Sequence, residues 1–210
     1  MKLKIIIKKI ILLATSKWVL KKPKERPMLI IDGINNPFSL YFDVKQYNIF
    51  YRRFEEINFY IIYKCLIDLN LSAQNYLKNF IKYSKPKILI TSIDNYASFY
   101  QYSKNFGIKT AFVQYGNRTY YKDVFSDKTI NNQKNKSKFF VDYMFVFNKK
   151  IGEIYKNFIN GNIIEIGSFR NNFKKYNNKK KKEVLFISGF RGKNLIDYYE
   201  NNPKNIFYKN

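Results

Sequence analysis

Lys87-Ile88-Leu89-Ile90-Thr91-Ser92-Ile93-Asp94-Asn95 opens the stretch that decides the fold. An amphipathic segment carries the chain on to Phe106-Gly107, and Lys109-Thr110-Ala111-Phe112-Val113-Gln114-Tyr115-Gly116-Asn117-Arg118 closes it. Two short apolar runs of strand type bracket one segment of helix length, and each run ends in small polar residues. That is the pattern of a βαβ unit in a parallel sheet. Loops at the carboxyl ends of such strands form the ligand crevice. Any site in this half of the chain is therefore expected where Thr91 to Asn95 meets Gln114 to Arg118.

The same pattern extends in both directions. Upstream, Met28-Leu29-Ile30-Ile31 reads as a first strand running into the turn-rich Asp32-Gly33-Ile34-Asn35-Asn36-Pro37, and Tyr47 to Tyr51 reads as a second. Ile57 to Leu69 and Ala73 to Tyr83 carry helical spacing, with Ser72 placed to cap the second and Pro86 to stop it. Downstream, Thr119 to Lys138 is polar and reads as a surface excursion. Tyr143 to Phe147 is a strand, Lys149 to Phe158 a helix ended by Gly161, and Ile163 to Ile166 a further strand entering Gly167-Ser168-Phe169-Arg170. Asn171 to Lys182 turns to Asn, Lys and Tyr and includes four consecutive lysines, which marks a linker. Glu183 to Ile187 then begins another strand, entering Ser188-Gly189-Phe190-Arg191.

The expected organisation is a basic amphipathic helix over 1–22 and a Rossmann-like lobe over 23–170. A linker over 171–183 and the start of an incomplete second lobe over 184–210 follow. The fold class is α/β, a parallel sheet flanked by helices. In the first helix the longest charge-free run is Ile10 to Ser16, far short of the ~20 residues that cross a bilayer. Its apolar face either packs on the domain or lies in the interface of an anionic membrane, where its lysines and Trp18 favour binding.

Composition narrows the chemistry. The 210 residues hold 39 Lys plus Arg against 15 Asp plus Glu, a net charge of +24. Such a charge suits nucleic acid, anionic membrane or phosphorylated substrates. The abundance of Lys, Asn, Ile, Phe and Tyr, all with A/T-rich codons, explains the lysines equally well. The lysines are dispersed and form no recognisable nucleic-acid module, so nucleic acid is the disfavoured partner. There is no histidine, which excludes His-activated nucleophiles and His metal ligands. Cys65 is the one cysteine and sits in an apolar helical pattern, so a buried thiol in a reducing cytoplasm is expected. No metal-ligand spacing, P-loop or Gly-x-Gly-x-x-Gly occurs.

Strand ends therefore carry the candidate site. Asp94 is the carboxylate singled out as a general base, the alternative being that it or Ser92 caps the following helix. Thr91, Ser92, Asn95, Gln114, Gly116, Asn117 and Arg118 are expected to line the cleft. Arg170 and Arg191 suit bidentate phosphate contacts better than the surrounding lysines do. Gly167, Ser168, Ser188 and Gly189 allow close backbone approach to a ligand. Tyr96, Phe99, Tyr100 and Tyr102 form a stripe of core type.

Four blocks together resemble bacterial surface-carbohydrate biosynthesis proteins. They are Ile90 to Asn95, Phe112 to Arg118, Val141 to Phe147 and Ile166 to Asn171. These proteins are similar to two-domain, GT-B-type glycosyltransferases and to CDP-glycerol glycerophosphotransferases. The resemblance implies an acceptor-side N-terminal lobe and a nucleotide-donor lobe with the site between them. On it, Asp94 and the Gln114 to Arg118 loop shape the acceptor site. Gly167, Ser168, Arg170, Ser188, Gly189 and Arg191 meet the donor phosphates. The implied partners are a nucleotide-sugar or CDP-glycerol-like donor as substrate, with no other cofactor, and a glycan or lipid-linked acceptor. The implied location is the cytoplasm, or the inner face of the plasma membrane as a peripheral protein. Many relatives carry His where Tyr115 stands, so a His-dependent role does not transfer. The donor lobe is nearly absent, which makes a fragment or a truncated, catalytically weak protein the expectation. The alternatives from other classes are a basic nucleic-acid-binding protein and an inactive membrane-surface protein.

Overall fold

The computed structural model describes residues 14–32, 37–116 and 139–172. The chain separates into two compact units, Met1–Lys174 and Lys175–Asn210. The second unit, with the strand expected at 183–187, lies outside the described residues, as does most of the expected first helix.

The backbone is helical at Ala14 and Thr15 and then extends as strand β1, Lys17–Val19. A helix running to Lys22 was the expectation, and the structure corrects it. Lys17 to Val19 pairs in parallel with β4, Glu56–Asn58, and Lys17 Nζ meets Glu56 Oε2 at 2.9 Å. This pairing joins residues 39 apart, which helical periodicity does not report. Trp18 stays 45% exposed.

Strand β2, Met28–Ile31, starts directly after Pro27, and β3, Tyr47–Phe50, lies beside it. After β4 comes helix α1, Phe59–Ile67, whose first turn is closed by Asn58 Oδ1 accepting from the Ile61 N–H at 3.1 Å. The helix expected from Ile57 therefore begins two residues later, because Ile57 and Asn58 belong to the strand. Helix α2, Ala73–Ser84, has Ser72 Oγ accepting from the Asn75 N–H, and it ends on Lys85 in the left-handed region with Pro86 next. Strand β5 is Ile88–Thr91.

The amphipathic segment that follows is a 3-10 turn, Ala97–Gln101, running into a short helix α3, Tyr102–Phe106, closed by Gly107 at φ 64°. Strand β6 is Lys109–Val113, and β7 is Phe139–Val146, which begins earlier than the Tyr143 expected. Helix α4, Lys149–Lys156, is capped by Asn148. Strand β8, Ile159–Glu165, also starts early, so Gly161 lies inside a strand rather than ending a helix. The reason is local. The register of β7 against β8 shifts between Phe140 and Tyr143, and a Cβ on Gly161 would stand 2.2 Å from the Val141 carbonyl oxygen. Only glycine admits that approach.

The main sheet has six strands in the order β3-β2-β5-β6-β7-β8, every pair parallel, and so has the α/β, Rossmann-like architecture expected. The chain moves outward from β2 to β3 and then returns to β5 on the other side of β2. The strand order thus reverses between β2 and β5, the crevice position of open parallel sheets. One sheet face packs Leu29, Ile31, Leu89, Phe112 and Met144 against Ile61, Leu77, Phe80 and Tyr155 of helices α1, α2 and α4. The other packs Ile30, Ile90, Ala111 and Val113 beneath Phe38 and Phe169. Leu29, Ile30 and Leu89 are fully buried. Each such side chain contributes about 1.5–3 kcal/mol on transfer from water. Continuous apolar runs in β2 and β5 are the sequence counterpart of this two-sided burial. Cys65 is buried as expected, and burial pushes its thiol pKa up.

At the start of β6 a polar latch holds the sheet. The Asp142 carboxylate of β7 accepts from Lys109 Nζ and the Thr110 N–H at 2.8 Å each, and from the Thr110 and Ser103 hydroxyls at 3.2 Å each.

Candidate functional site at the carboxyl edge of the sheet

Because all six strands are parallel, Asp32, Thr91 to Asn95, Gln114 to Gly116 and Gly167 to Arg170 follow strand ends on one edge. Within that rim the expected site residues divide into those that build it and those that face outward.

Thr91 and Gln114 build. Thr91 is fully buried, and its hydroxyl donates to the Ile31 carbonyl at 3.0 Å while accepting from the Ile93 N–H at 3.1 Å. It ties the ends of β5 and β2 together at the point of strand-order reversal. Gln114 is fully buried as well. Its Oε1 accepts from the Phe147 N–H, and its Nε2 donates to the Gly116 carbonyl, at 2.9 Å each. That clamps the loop after β6 to the end of β7.

Asp94 is buried at 5% exposure. One carboxylate oxygen accepts from the Tyr155 hydroxyl of α4, and its carbonyl accepts from the Tyr100 hydroxyl. The 3-10 turn from Ala97 has Tyr96 at its N-cap position, with no side-chain cap bond from it. Ser92 is half-buried and Asn95 exposed.

The loop after β8 lies against the loop after β6. Phe169 is buried against Phe38 and stacks on Tyr41 at 4.2 Å between centroids, while the Tyr41 hydroxyl donates to the Phe169 carbonyl. Those contacts anchor the 167–172 turn, with Gly167 at φ 67° as its entry. Arg170 is exposed, with its guanidinium 5.8 Å from the centroid of Tyr115. Gly116 and Ser168 stand beside this pair in sequence. Arg170 and the Tyr115 loop thus meet, whereas Asn117, Arg118, Ser188, Gly189 and Arg191 lie outside the described residues.

Nearer the strand-order reversal is a cluster of which the sequence pointed to Asp32, as a strand end, but not to its arginine partners. Asp32 follows β2 with φ 60°, and its side chain is fully buried. Its Oδ2 lies 3.5 Å from Arg52 Nη1 and 3.8 Å from Arg53 Nη2, while its Oδ1 is buried with no hydrogen-bond partner among the described residues. The Arg52 guanidinium lies 3.3 Å from the centroid of the Tyr96 ring. The Tyr96 and Tyr102 hydroxyls hydrogen-bond each other at 2.5 Å, and burial first of all pushes the Tyr102 pKa far up, so that hydroxyl stays protonated. Burial likewise raises Tyr76 to about 12 as its hydroxyl accepts from the Asn58 N–H. The available signal was the Arg52-Arg53 pair directly after a strand, the position where arginine reaches a rim.

Among the described residues no group of three or more Cys, Asp or Glu is placed to hold a metal, and no helix is long and apolar enough to cross a membrane.

Residues 111–210 fit the model of a family described as "putative O-antigen biosynthesis protein". That span starts in β6 and takes in Gln114 to Arg118, Gly167 to Arg170 and Ser188 to Arg191. The similarity is to a family whose description names O-antigen biosynthesis, and it covers just under half of the chain. No curated protein and no solved structure matches the chain.

Proposed function

We propose that the chain supplies the acceptor-side lobe of an enzyme of bacterial surface-polysaccharide biosynthesis, one that transfers a sugar or polyol phosphate from a nucleotide-activated donor. The observation that carries the proposal is the convergence of Arg170 with Tyr115 on the carboxyl edge of an all-parallel sheet. The likeness of residues 111–210 to an O-antigen biosynthesis family supports the same pathway class.

In this proposal the exposed Arg170, carried on a turn anchored by Phe169, neutralises donor phosphate. Gly116, Gly167 and Ser168 let the ligand approach the backbone. By the sequence resemblance, Asn117 and Arg118 serve the acceptor, and Ser188, Gly189 and Arg191 the donor phosphates. Asp94 is proposed to take the proton of the acceptor hydroxyl, with Tyr155 orienting its carboxylate. The direct test is incubation of the full chain with a panel of nucleotide sugars and CDP-glycerol plus a lipid-linked glycan acceptor, with release of the nucleotide followed. Acceptor-dependent release that falls at least tenfold in Arg170→Gln supports transfer. Release that is insensitive to Arg170→Gln counts against it.

The base role separates from a tethering role by one substitution. Asp94→Asn keeps an acceptor oxygen for Tyr155 while removing the basic group. Transfer is expected to fall about 10²–10⁴-fold with the melting temperature little changed. Unchanged turnover would make Asp94 a tether between the β5 loop and α4.

A further inference from the structure

A cavity of about 440 Å³ opens beside the strand-order reversal, lined by Arg52, Tyr96, Tyr102, Gln74, Gln101 and Asn105 among others. Its volume falls in the range of small-molecule sites. None of these residues belongs to the Arg170–Tyr115 surface described above.

Arg52 is the informative member. Its side chain is 31% exposed, and its position is set twice, by the Tyr96 ring beneath it and by Asp32 behind it. Guanidinium offers five N–H donors. One points to Asp32 at 3.5 Å, longer than the 2.7–2.9 Å typical of a charge-assisted bond, and the others meet no acceptor among the described residues. Arg53 lies 3.8 Å from the same Asp32 oxygen, so one carboxylate faces two guanidinium groups and the three side chains keep a net positive charge. An ordered arginine with unspent donors at a cavity wall is built to receive an oxyanion.

The rest of the wall indicates what carries that anion. Gln74, Gln101 and Asn105 present side-chain amides with no partner among the described residues, and an amide offers donor and acceptor together, as adjacent sugar hydroxyls require. Two rings of the wall, Tyr96 and Tyr102, are set against a flat base. Tyr96 and Tyr102 meet edge-on at 83°, and Arg52 already covers the Tyr96 face, so these two rings leave no parallel slot for a nucleobase.

We propose that this cavity binds an anionic sugar, a monosaccharide unit bearing a carboxylate or a phosphate, with Arg52 holding the anion and the amides holding the hydroxyls. The sugar half of the assignment rests on the polysaccharide function proposed above; the anion half rests on Arg52. An acceptor glycan recognised here contains an acidic residue.

The test is calorimetric titration of the full chain, with no nucleotide donor present, using glucuronate, glucose 6-phosphate, glucose, inorganic phosphate and UMP. Glucuronate or glucose 6-phosphate is expected to bind at least tenfold tighter than glucose and than inorganic phosphate, with affinity falling as salt rises. The preference between the two shows whether carboxylate or phosphate is the natural group. Arg52→Gln is expected to remove at least tenfold of that affinity, and Arg52→Lys to restore part of it. Gln101→Ala, a change at an exposed position, is expected to weaken the charged sugars without altering phosphate binding, and it keeps the test available should Arg52→Gln fail to fold. Equal binding of glucose and glucuronate, binding untouched by both variants, or a preference for UMP would each overturn the proposal. Since no transfer is measured, failure here leaves the transferase proposal standing, and failure of transfer leaves the sugar site standing.

Discussion

Asp142→Ala is expected to cost about 3 kcal/mol of folding stability, because a buried carboxylate that accepts from several donors cannot be removed without stranding them. The Thr110 N–H and hydroxyl, the Ser103 hydroxyl and Lys109 Nζ all converge on it. Thr110 is fully buried, so its donors have no water to turn to. A domain stable by ~5–15 kcal/mol would be left marginal. Asp142→Asn, which keeps one acceptor oxygen, is expected to lose roughly half as much.

The pH dependence follows from the same contacts. Burial raises the Asp142 pKa, but the bonds from Lys109 and Thr110 outweigh it and leave the group below its ordinary value of 3.8. A depressed folded value means that the contribution is fully present above the unfolded pKa and is lost as pH falls through the folded one. Urea unfolding of wild type and Asp142→Asn should therefore differ by a constant amount at neutral pH and converge only in acid, below about pH 4. A gap that closes between pH 5 and 7, or an Ala variant within 0.5 kcal/mol of wild type, would be incompatible with the latch. The threshold is the usual scatter of neutral surface changes.

Gly161→Ala should be the other severe change, at about 2–3 kcal/mol, the upper part of the range for forced overpacking. The added methyl would lie 2.2 Å from the Val141 carbonyl oxygen and 3.1 Å from Val141 Cγ1, and a backbone atom cannot rotate away as a side chain can. The strand β8 is at the sheet edge, so relief comes by lifting it from β7. Hydrogen exchange should then show β8 amides losing protection ahead of those in β2 and β5. The site is affected as well, since the 167–172 turn leaves from the end of β8 and carries Arg170 to Tyr115. Stability equal to wild type with unchanged β8 protection would show that the close approach of the two strands is not required.

Local sequence determined a good deal of this fold. Met28 to Ile31, Ile88 to Thr91 and Lys109 to Val113 are legible as strands because both faces of a parallel sheet are buried, which writes an uninterrupted apolar run between breakers such as Pro27, Pro86 and Gly107. Helix α2 is legible from Ser72 and Pro86 for the same reason: its limits are set by capping and by a missing N–H, both properties of a few neighbouring residues. The polar strand ends were legible too, and parallel order alone sends them to one edge.

Tertiary structure decided the rest. The pairing of Lys17–Val19 with Glu56–Asn58, the Gly161 approach to Val141 and the Asp142 latch each join segments whose proximity depends on strand order. No local period encodes it. Thr91 and Gln114 could be placed on the rim from sequence, but whether they face a ligand or bind the loops beneath it depended on where Ile31 and Phe147 came to lie. The meeting of Asp32, Arg52 and Tyr96 belongs to the same class. Their proximity exists only because β3 and β5 flank β2, and the charge balance that leaves Arg52 with unused donors is a property of that assembly rather than of any one segment.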